Sequence, residues 1–223
     1  MDHLALTDYA MPPGAPRLMP YQTYPFNGDG YLAAKVLELK ARHGLTRAFE
    51  TGTCLGSTTL WLAETFDKVW TCEISRDFYE LACQRFSMAQ KPEAVADATD
   101  RYWQNITARL RDSARAAWND AGRADFIFLD AHWGDVCPLE AELDAIASPE
   151  HNELSKKPVI MIHDWRVPGR TDLGYDHFPD GEPFNTDRIR PRLDAIYGAG
   201  GYTVSYNDKA EGAMRGVLIA EPA

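Results

Sequence analysis

The sequence predicts an α/β protein: a doubly wound, mostly parallel sheet with helices on both faces and an antiparallel last strand. Three observations carry that expectation. Apolar runs of strand length alternate with segments of helical periodicity along most of the chain, which calls for a parallel sheet covered by its crossover helices. The stretch Ala48–Ala63 passes from an apolar strand through a glycine turn into a helix, with the spacing E-x-G-x-x-x-G at Glu50, Gly52 and Gly56. The last two strand-like runs lie too close in sequence for a helical crossover, so they must pair antiparallel.

Each element has its own local reason. Residues 1–27 hold five prolines and little periodicity, and read as an extended arm that packs on the domain or on a second subunit. Residues 28–223 then form one domain. Over 29–43, Leu32, Val36 and Leu39 share a helical face and Gly44 supplies the stop. Thr46–Glu50 is the first strand, a helix runs from Ser57 to Thr65, and Lys68–Glu73 is the second strand. Ser75 caps a helix that turns Phe78, Leu81, Ala82 and Phe86 inward. Residues 91–103 are polar and mixed, with a helix as the expectation. Asn105–Leu110 is a third strand, ending at Asp112-Ser113, and Asp125–Asp130 is a buried fourth. Pro138 suits a first helical turn, with Leu139, Leu143 and Ile146 as its inner face. Pro158–His163 is the next buried strand, followed by a long loop over 165–185. A helix with Ile189, Leu193 and Ile196 inward stops at Gly198. Tyr202–Tyr206 and Gly216–Ala220 close the chain.

Composition narrows the function classes. At 223 residues and 45% hydrophobic, the chain can bury a full core as one domain. Twenty-three basic against 33 acidic residues give a formal charge of −10, which argues against nucleic acid or an anionic membrane as the partner and suits a neutral or cationic small molecule. No apolar run is long enough to cross a bilayer. Asp2 and His3 stand where an export signal would be basic. Cys54, Cys72, Cys83 and Cys137 show no metal-like spacing, so a reduced, cytoplasmic protein is the expectation.

The glycine turn and the acid about 20 residues on point to a nucleoside. Glycine has no Cβ to keep a ligand from the backbone. A carboxylate at the end of the second strand, Glu73, can accept hydrogen bonds from both ribose hydroxyls. The alternative is that Gly52 and Gly56 only permit a tight turn. In open parallel sheets ligands bind at the carboxyl ends of the strands. Glu50, Glu73, Asp130, His163 and Asp164 all fall there. If the chain stays extended, Asp130 and His132 point to one side. A cluster of Asp130, His132, His163 and Asp164 could hold one divalent ion or present a histidine base oriented by a carboxylate. Asp130 as a turn acid and His132 as a packed core residue are the competing readings. In the long loop, Tyr175, Asp176, His177, Phe178 and Phe184 offer stacking and hydrogen-bonding groups over an acceptor. Arg166 and Arg170 read as solvated, and Trp133 and Trp165 as pocket wall or core.

This order of elements resembles the class I S-adenosylmethionine-dependent methyltransferases, over residues 45–221. The resemblance implies a Rossmann-like sheet of seven strands with the last antiparallel. It implies cofactor contacts from Glu50, Gly52, Gly56, Glu73 and Asp130, with Asp112-Ser113 near the adenine. Leu129-Asp-Ala-His-Trp133 and Ile160-Met-Ile-His-Asp-Trp165 are similar to strand ends of metal-assisted O-methyltransferases of the macrocin type. There an acid after the fourth strand and an acidic pair after the fifth hold Mg²⁺. Asp130 matches the first position and Asp164 the last, while His163 stands where a carboxylate is usual. Imidazole is a poorer Mg²⁺ ligand and favours softer ions. The implied activity is O-methylation of a small-molecule hydroxyl, with Asp130, His132 and His163 as catalytic candidates and Asp130, His163 and Asp164 as metal ligands. A nicotinamide-dependent oxidoreductase fits less well, because the full G-x-G-x-x-G is missing. A binding module that has lost transfer activity is the third reading.

Overall fold

The computed structural model describes residues 3–90, 99–132, 137–148 and 156–223. Within these, six helices and eight strands follow one another as α1 (Gly30–His43), β1 (Arg47–Thr51), α2 (Ser57–Thr65), β2 (Lys68–Glu73), α3 (Arg76–Ala89), β3 (Asp100–Trp103), β4 (Ile106–Leu110), α4 (Ser113–Asp120), β5 (Phe126–Leu129), α5 (Leu139–Ile146), β6 (Val159–His163), α6 (Thr186–Tyr197), β7 (Tyr202–Tyr206) and β8 (Val217–Pro222).

The strands form a single sheet in the order β3-β4-β2-β1-β5-β6-β8-β7. The five central strands are parallel, and β8 runs antiparallel to both β6 and β7, as the short connection demands. The sheet has eight strands where seven were expected. The additional one, β3, pairs antiparallel with β4 at the edge. It falls in the tail of the segment expected to be helical; residues 91–98 of that segment, and Trp133, lie outside the described residues. The helix α4, not foreseen in the sequence, starts at the Asp112 cap, whose carboxylate accepts the Arg115 N–H at 2.8 Å.

Alternate strand residues feed two apolar layers, because successive side chains point to opposite faces. Ala48, Phe126, Phe128, Val159 and Met161 pack with α1, α2 and α3 on one face. Phe49, Ile127, Leu129, Ile160 and Ile162 pack with α4, α5 and α6 on the other. The α3 helix is turned from the expected face: Tyr79, Ala82, Cys83, Arg85 and Phe86 are buried, while Phe78 and Leu81 are half-buried. Arg85, on the buried face, is 1% exposed. It donates to the carbonyls of Ala10, Leu55 and Tyr9 and to Ser57 Oγ. That clamp docks the amino-terminal arm on its own domain, where Tyr9 and Phe26 join the core. No helix among the described residues is long and apolar enough to cross a membrane.

The topology sets the rim. Strand order reverses between β1 and β5, where Thr51 lies beside Leu129. Such a reversal opens a crevice at the carboxyl ends of the strands. Six of the seven described non-glycine residues at positive φ are Tyr21, Phe26, Asn27, Cys54, Asp164 and Met214. Of these, Cys54 follows β1 and Asp164 follows β6, at the carboxyl ends of parallel strands, where strained backbone collects in functional sites.

Candidate functional site

Gly52 and Gly56 both adopt positive φ, at 80° and 79°. Their bareness is spent on the protein itself. A Cβ on Gly52 would stand 2.3 Å from the carbonyl oxygen of Asp130, and one on Gly56 would stand 2.6 Å from the Phe86 ring. The first glycine therefore brings the turn against the loop after β5, and the second lets α2 close on α3. Neither position needs a ligand to explain its residue.

Glu50 and Glu73 part company. Glu50 is 1% exposed and lies beneath the turn, its Oε2 accepting from Thr59 Oγ1 at 2.5 Å and Thr71 Oγ1 at 2.7 Å. Burial pushes its carboxyl up to about 8 against the pull of those two hydroxyls. Glu73 reaches across the turn instead: its two oxygens accept the backbone N–H of Cys54 at 2.8 Å and of Ser75 at 2.9 Å. Burial raises its carboxyl above the usual carboxylate range, against those two N–H groups and that of Ile74, which lower it. Burial and the Glu73 charge push the neighbouring Cys54 thiol up to about 12. Asp112 is committed to capping α4, and Ser113 is buried at the start of that helix.

The predicted cluster forms. His163 Nδ1 lies 3.1 Å from Asp130 Oδ1 and 3.2 Å from Asp164 Oδ1, and His132 Nε2 lies 3.3 Å from Asp164 Oδ2. Both imidazoles are deeply buried, with side chains 3% and 2% exposed, whereas Asp130 is 21% exposed. Burial alone would push His163 down, but the charges of Asp130 and Asp164 outweigh it and hold the ring well above the usual histidine range. His132 shows the same balance and a smaller rise, with Asp164 as its partner. It also stands edge-on to Phe184, with ring centroids 5.0 Å apart. Asp164 in turn is held far below the usual carboxylate range: the His163 charge and both imidazole contacts overcome its burial.

The structure adds partners that the sequence reading missed. Arg215 donates through Nε to Asp164 and through Nη2 to Asp176 Oδ1, the latter at 2.5 Å. Asp29, which caps α1 through the N–H groups of Tyr31 and Leu32, is close enough for its charge and that of His163 to act on each other. Glu142 of α5 is fully buried and faces Ser113, His132 and Thr51. Asp29 had a visible signal, the acid before Gly30 that opens a helix. Arg215 had none, because only the pairing of Val217 with His163 brings it to the rim. The long loop is split in role. Phe178 and Phe184, expected over an acceptor, pack in the core with Trp165, which is itself 1% exposed. Tyr175 and Asp176 remain half-buried at the rim and His177 is exposed. Arg170 pairs with Asp172 at the surface.

A Mg²⁺ ion does not fit this arrangement. Among the described residues, two groups of side chains are close enough to share a cation, Asp130–His163–Asp164 and His132–Asp164–Asp176, and both depend on Asp164. Its oxygens already face Arg215, His163 and His132. A dication about 5 Å from the guanidinium would be repelled by roughly 6–7 kcal/mol at an effective dielectric of about 20. Mg²⁺ also wants an octahedron of oxygens rather than imidazole.

A groove of 960 Å³ opens between α6 and β7, lined in part by Trp165, Arg166, Arg190, Tyr202 and Tyr206. Phe184 and Trp165 line it, while none of the predicted catalytic, cofactor-binding or metal-ligating residues does.

The chain matches no protein-family model and no curated protein. Solved structures share its fold. The O-methyltransferase from Bacillus cereus in complex with SAH aligns at 19% identity and a TM-score of 0.58, over 89% of this chain and 84% of that one. The O-methyltransferase TomG from Streptomyces achromogenes, involved in tomaymycin synthesis and bound to SAM, aligns at 17% identity and 0.55, over 86% and 80%. A precorrin 8w decarboxylase from Methanobacterium thermoautotrophicum aligns at 12% and 0.51, over 97% of each chain. At these identities the likeness establishes the doubly wound sheet with its antiparallel tail. A decarboxylase among the matches shows why activity must be argued from the site.

Proposed function

We propose that the protein is an S-adenosylmethionine-dependent methyltransferase acting on a hydroxyl of a small-molecule acceptor. The single observation that carries this reading is the placement of Glu73. Its carboxylate stands at the end of β2, beside β1, and accepts the Cys54 N–H of the turn that leaves β1, and the Asp130–His163–Asp164 cluster likewise lies at carboxyl ends of parallel strands. The cofactor-bound neighbours described above support it.

In this reading the turn and Glu73 hold the nucleoside, with the ribose hydroxyls donating to the carboxylate. The acceptor oxygen attacks the methyl carbon in line, the carbon–sulfur bond breaks, and sulfur leaves as a neutral thioether. Positioning supplies much of the acceleration. The hydroxyl proton must go to a base. Asp130 is the member of the cluster an acceptor can reach, and His163 fixes its other side. His132 and Arg215 set the charge on Asp164 behind it. No step is routed through a metal.

Calorimetry with S-adenosylhomocysteine (SAH) and with NADH tests the reading. Binding of SAH alone is expected, followed by label transfer from methyl-labelled cofactor across a panel of hydroxylated acceptors. Binding of NADH without SAH would overturn it.

A further inference from the structure

We infer that the guanidinium of Arg215 is the resident cation of this site, standing in for a divalent ion between Asp164 and Asp176. The inference rests on the proposed methyl transfer only for the chemistry the site performs; the cation assignment is independent of it.

Four observations converge. Among the described residues, both groups of side chains that could share an ion contain Asp164, and Arg215 bonds that residue directly. The second terminal nitrogen of Arg215 bonds Asp176, so one planar fork ties together a rim carboxylate from the end of β6 and one from the long loop. The fork lies against a glycine. A Cβ on Gly174 would lie 2.5 Å from Arg215 Nη1 and 3.1 Å from its Cδ, so a larger residue there would have to push the arginine aside. The backbone on both sides is pinned by hydrogen bonds from Gly174 N–H to the Met214 carbonyl and from Gly216 N–H to the Gly174 carbonyl. Finally, His163 Nδ1 lies 3.1 Å from Asp130 and 3.2 Å from Asp164, so an imidazole rather than an oxygen ligand stands between those two carboxylates. Three carboxylates, Asp130, Asp164 and Asp176, thus face one permanent cation and two imidazoles among the described residues. Arginine keeps its charge at any working pH, so this cation cannot be lost by chelation or titration.

The test is a Mn²⁺ titration of the full chain, read by electron paramagnetic resonance of the free ion. The wild-type chain is expected to show no saturable binding at millimolar Mn²⁺. Arg215→Gln, which removes the charge at similar length, should acquire one saturable equivalent per chain, and Asp164→Asn in that background should abolish it. Arg215→Lys, which keeps a charge, should not acquire a site. Saturable binding by the wild type that disappears in Asp164→Asn would overturn the inference, and so would a folded Arg215→Gln that binds no Mn²⁺. If Arg215→Gln does not fold by circular dichroism, the wild-type titration decides alone. Failure of SAH to bind would remove the methyl-transfer reading and leave the cation assignment standing.

Discussion

A Cβ on Gly52 would lie 2.3 Å from the carbonyl oxygen of Asp130, so the turn after β1 and the acid after β5 are locked together by backbone contact. This joins the proposed nucleoside-holding turn to the proposed base with no flexible side chain between them. Gly52→Ala should therefore cost more than its backbone conformation alone. Gly44, at φ 58°, would meet nothing within 4 Å, so Gly44→Ala serves as the control. The control should lose about 1 kcal/mol, the ordinary left-handed penalty, while Gly52→Ala should lose roughly 3 kcal/mol in urea unfolding. Equal losses would show that the two loops yield independently.

Glu73→Ala should weaken SAH binding by about 10- to 100-fold, the loss expected when hydrogen bonds to a charged acceptor go. The variant also frees the N–H groups of Cys54 and Ser75. Calorimetry reads the effect, and unchanged affinity would end the ribose assignment.

Asp130→Asn should abolish turnover with SAH affinity held within about threefold, since the amide keeps the shape and loses the base. A fall of roughly 100-fold or more in kcat is the scale of a lost general base. Weakened SAH binding with unchanged kcat would instead make Asp130 a cofactor contact.

Stability should decline as pH rises, through two separable groups. Glu50 is raised by burial to about 8. The folded state keeps its proton after the unfolded chain has lost it near pH 4.5. Stability therefore falls from that pH until about pH 8. Glu50→Gln, which keeps an acceptor for Thr59 and Thr71, should flatten this slope and gain stability at alkaline pH. His163 is also raised, by Asp130 and Asp164 overcoming burial. Its contribution is full below about pH 6.5, the unfolded value, and is lost as pH climbs through the higher folded one. His163→Gln should remove only that later loss. Melting temperatures of the wild type and both variants across pH separate the two windows.

Arg85→Met should detach the arm. The guanidinium satisfies three carbonyls and a hydroxyl around the glycine turn. Leaving those acceptors buried and unpaired should cost about 3–5 kcal/mol. Limited proteolysis should then cut within the first 25 residues before the domain unfolds. Simultaneous loss of arm and domain would show that they form one cooperative unit.

Local pattern determined much of this protein. The E-x-G-x-x-x-G turn, the strand ending at Glu73, the Ser75 cap, the Gly44 and Gly198 stops and the antiparallel tail were legible, because each depends on residues within a few positions of one another. So was the meeting of Asp130, His132, His163 and Asp164, since parallel strands put their carboxyl ends on one rim. Tertiary structure decided the rest. Arg215 lies 51 residues from Asp164 and reaches it only because β8 pairs with β6. On α3, Arg85 is buried where it meets the Tyr9 and Ala10 carbonyls of the arm, contacts between residues 76 and 75 positions apart. Phe178 and Phe184 went to the core because the loop folds back over Trp165. The packing of Gly52 and Gly56 was also a tertiary matter, since what presses on them comes from the loop after β5 and from α3. Short-range preferences are written in neighbouring residues; which charges share a buried space is set by contacts between distant ones.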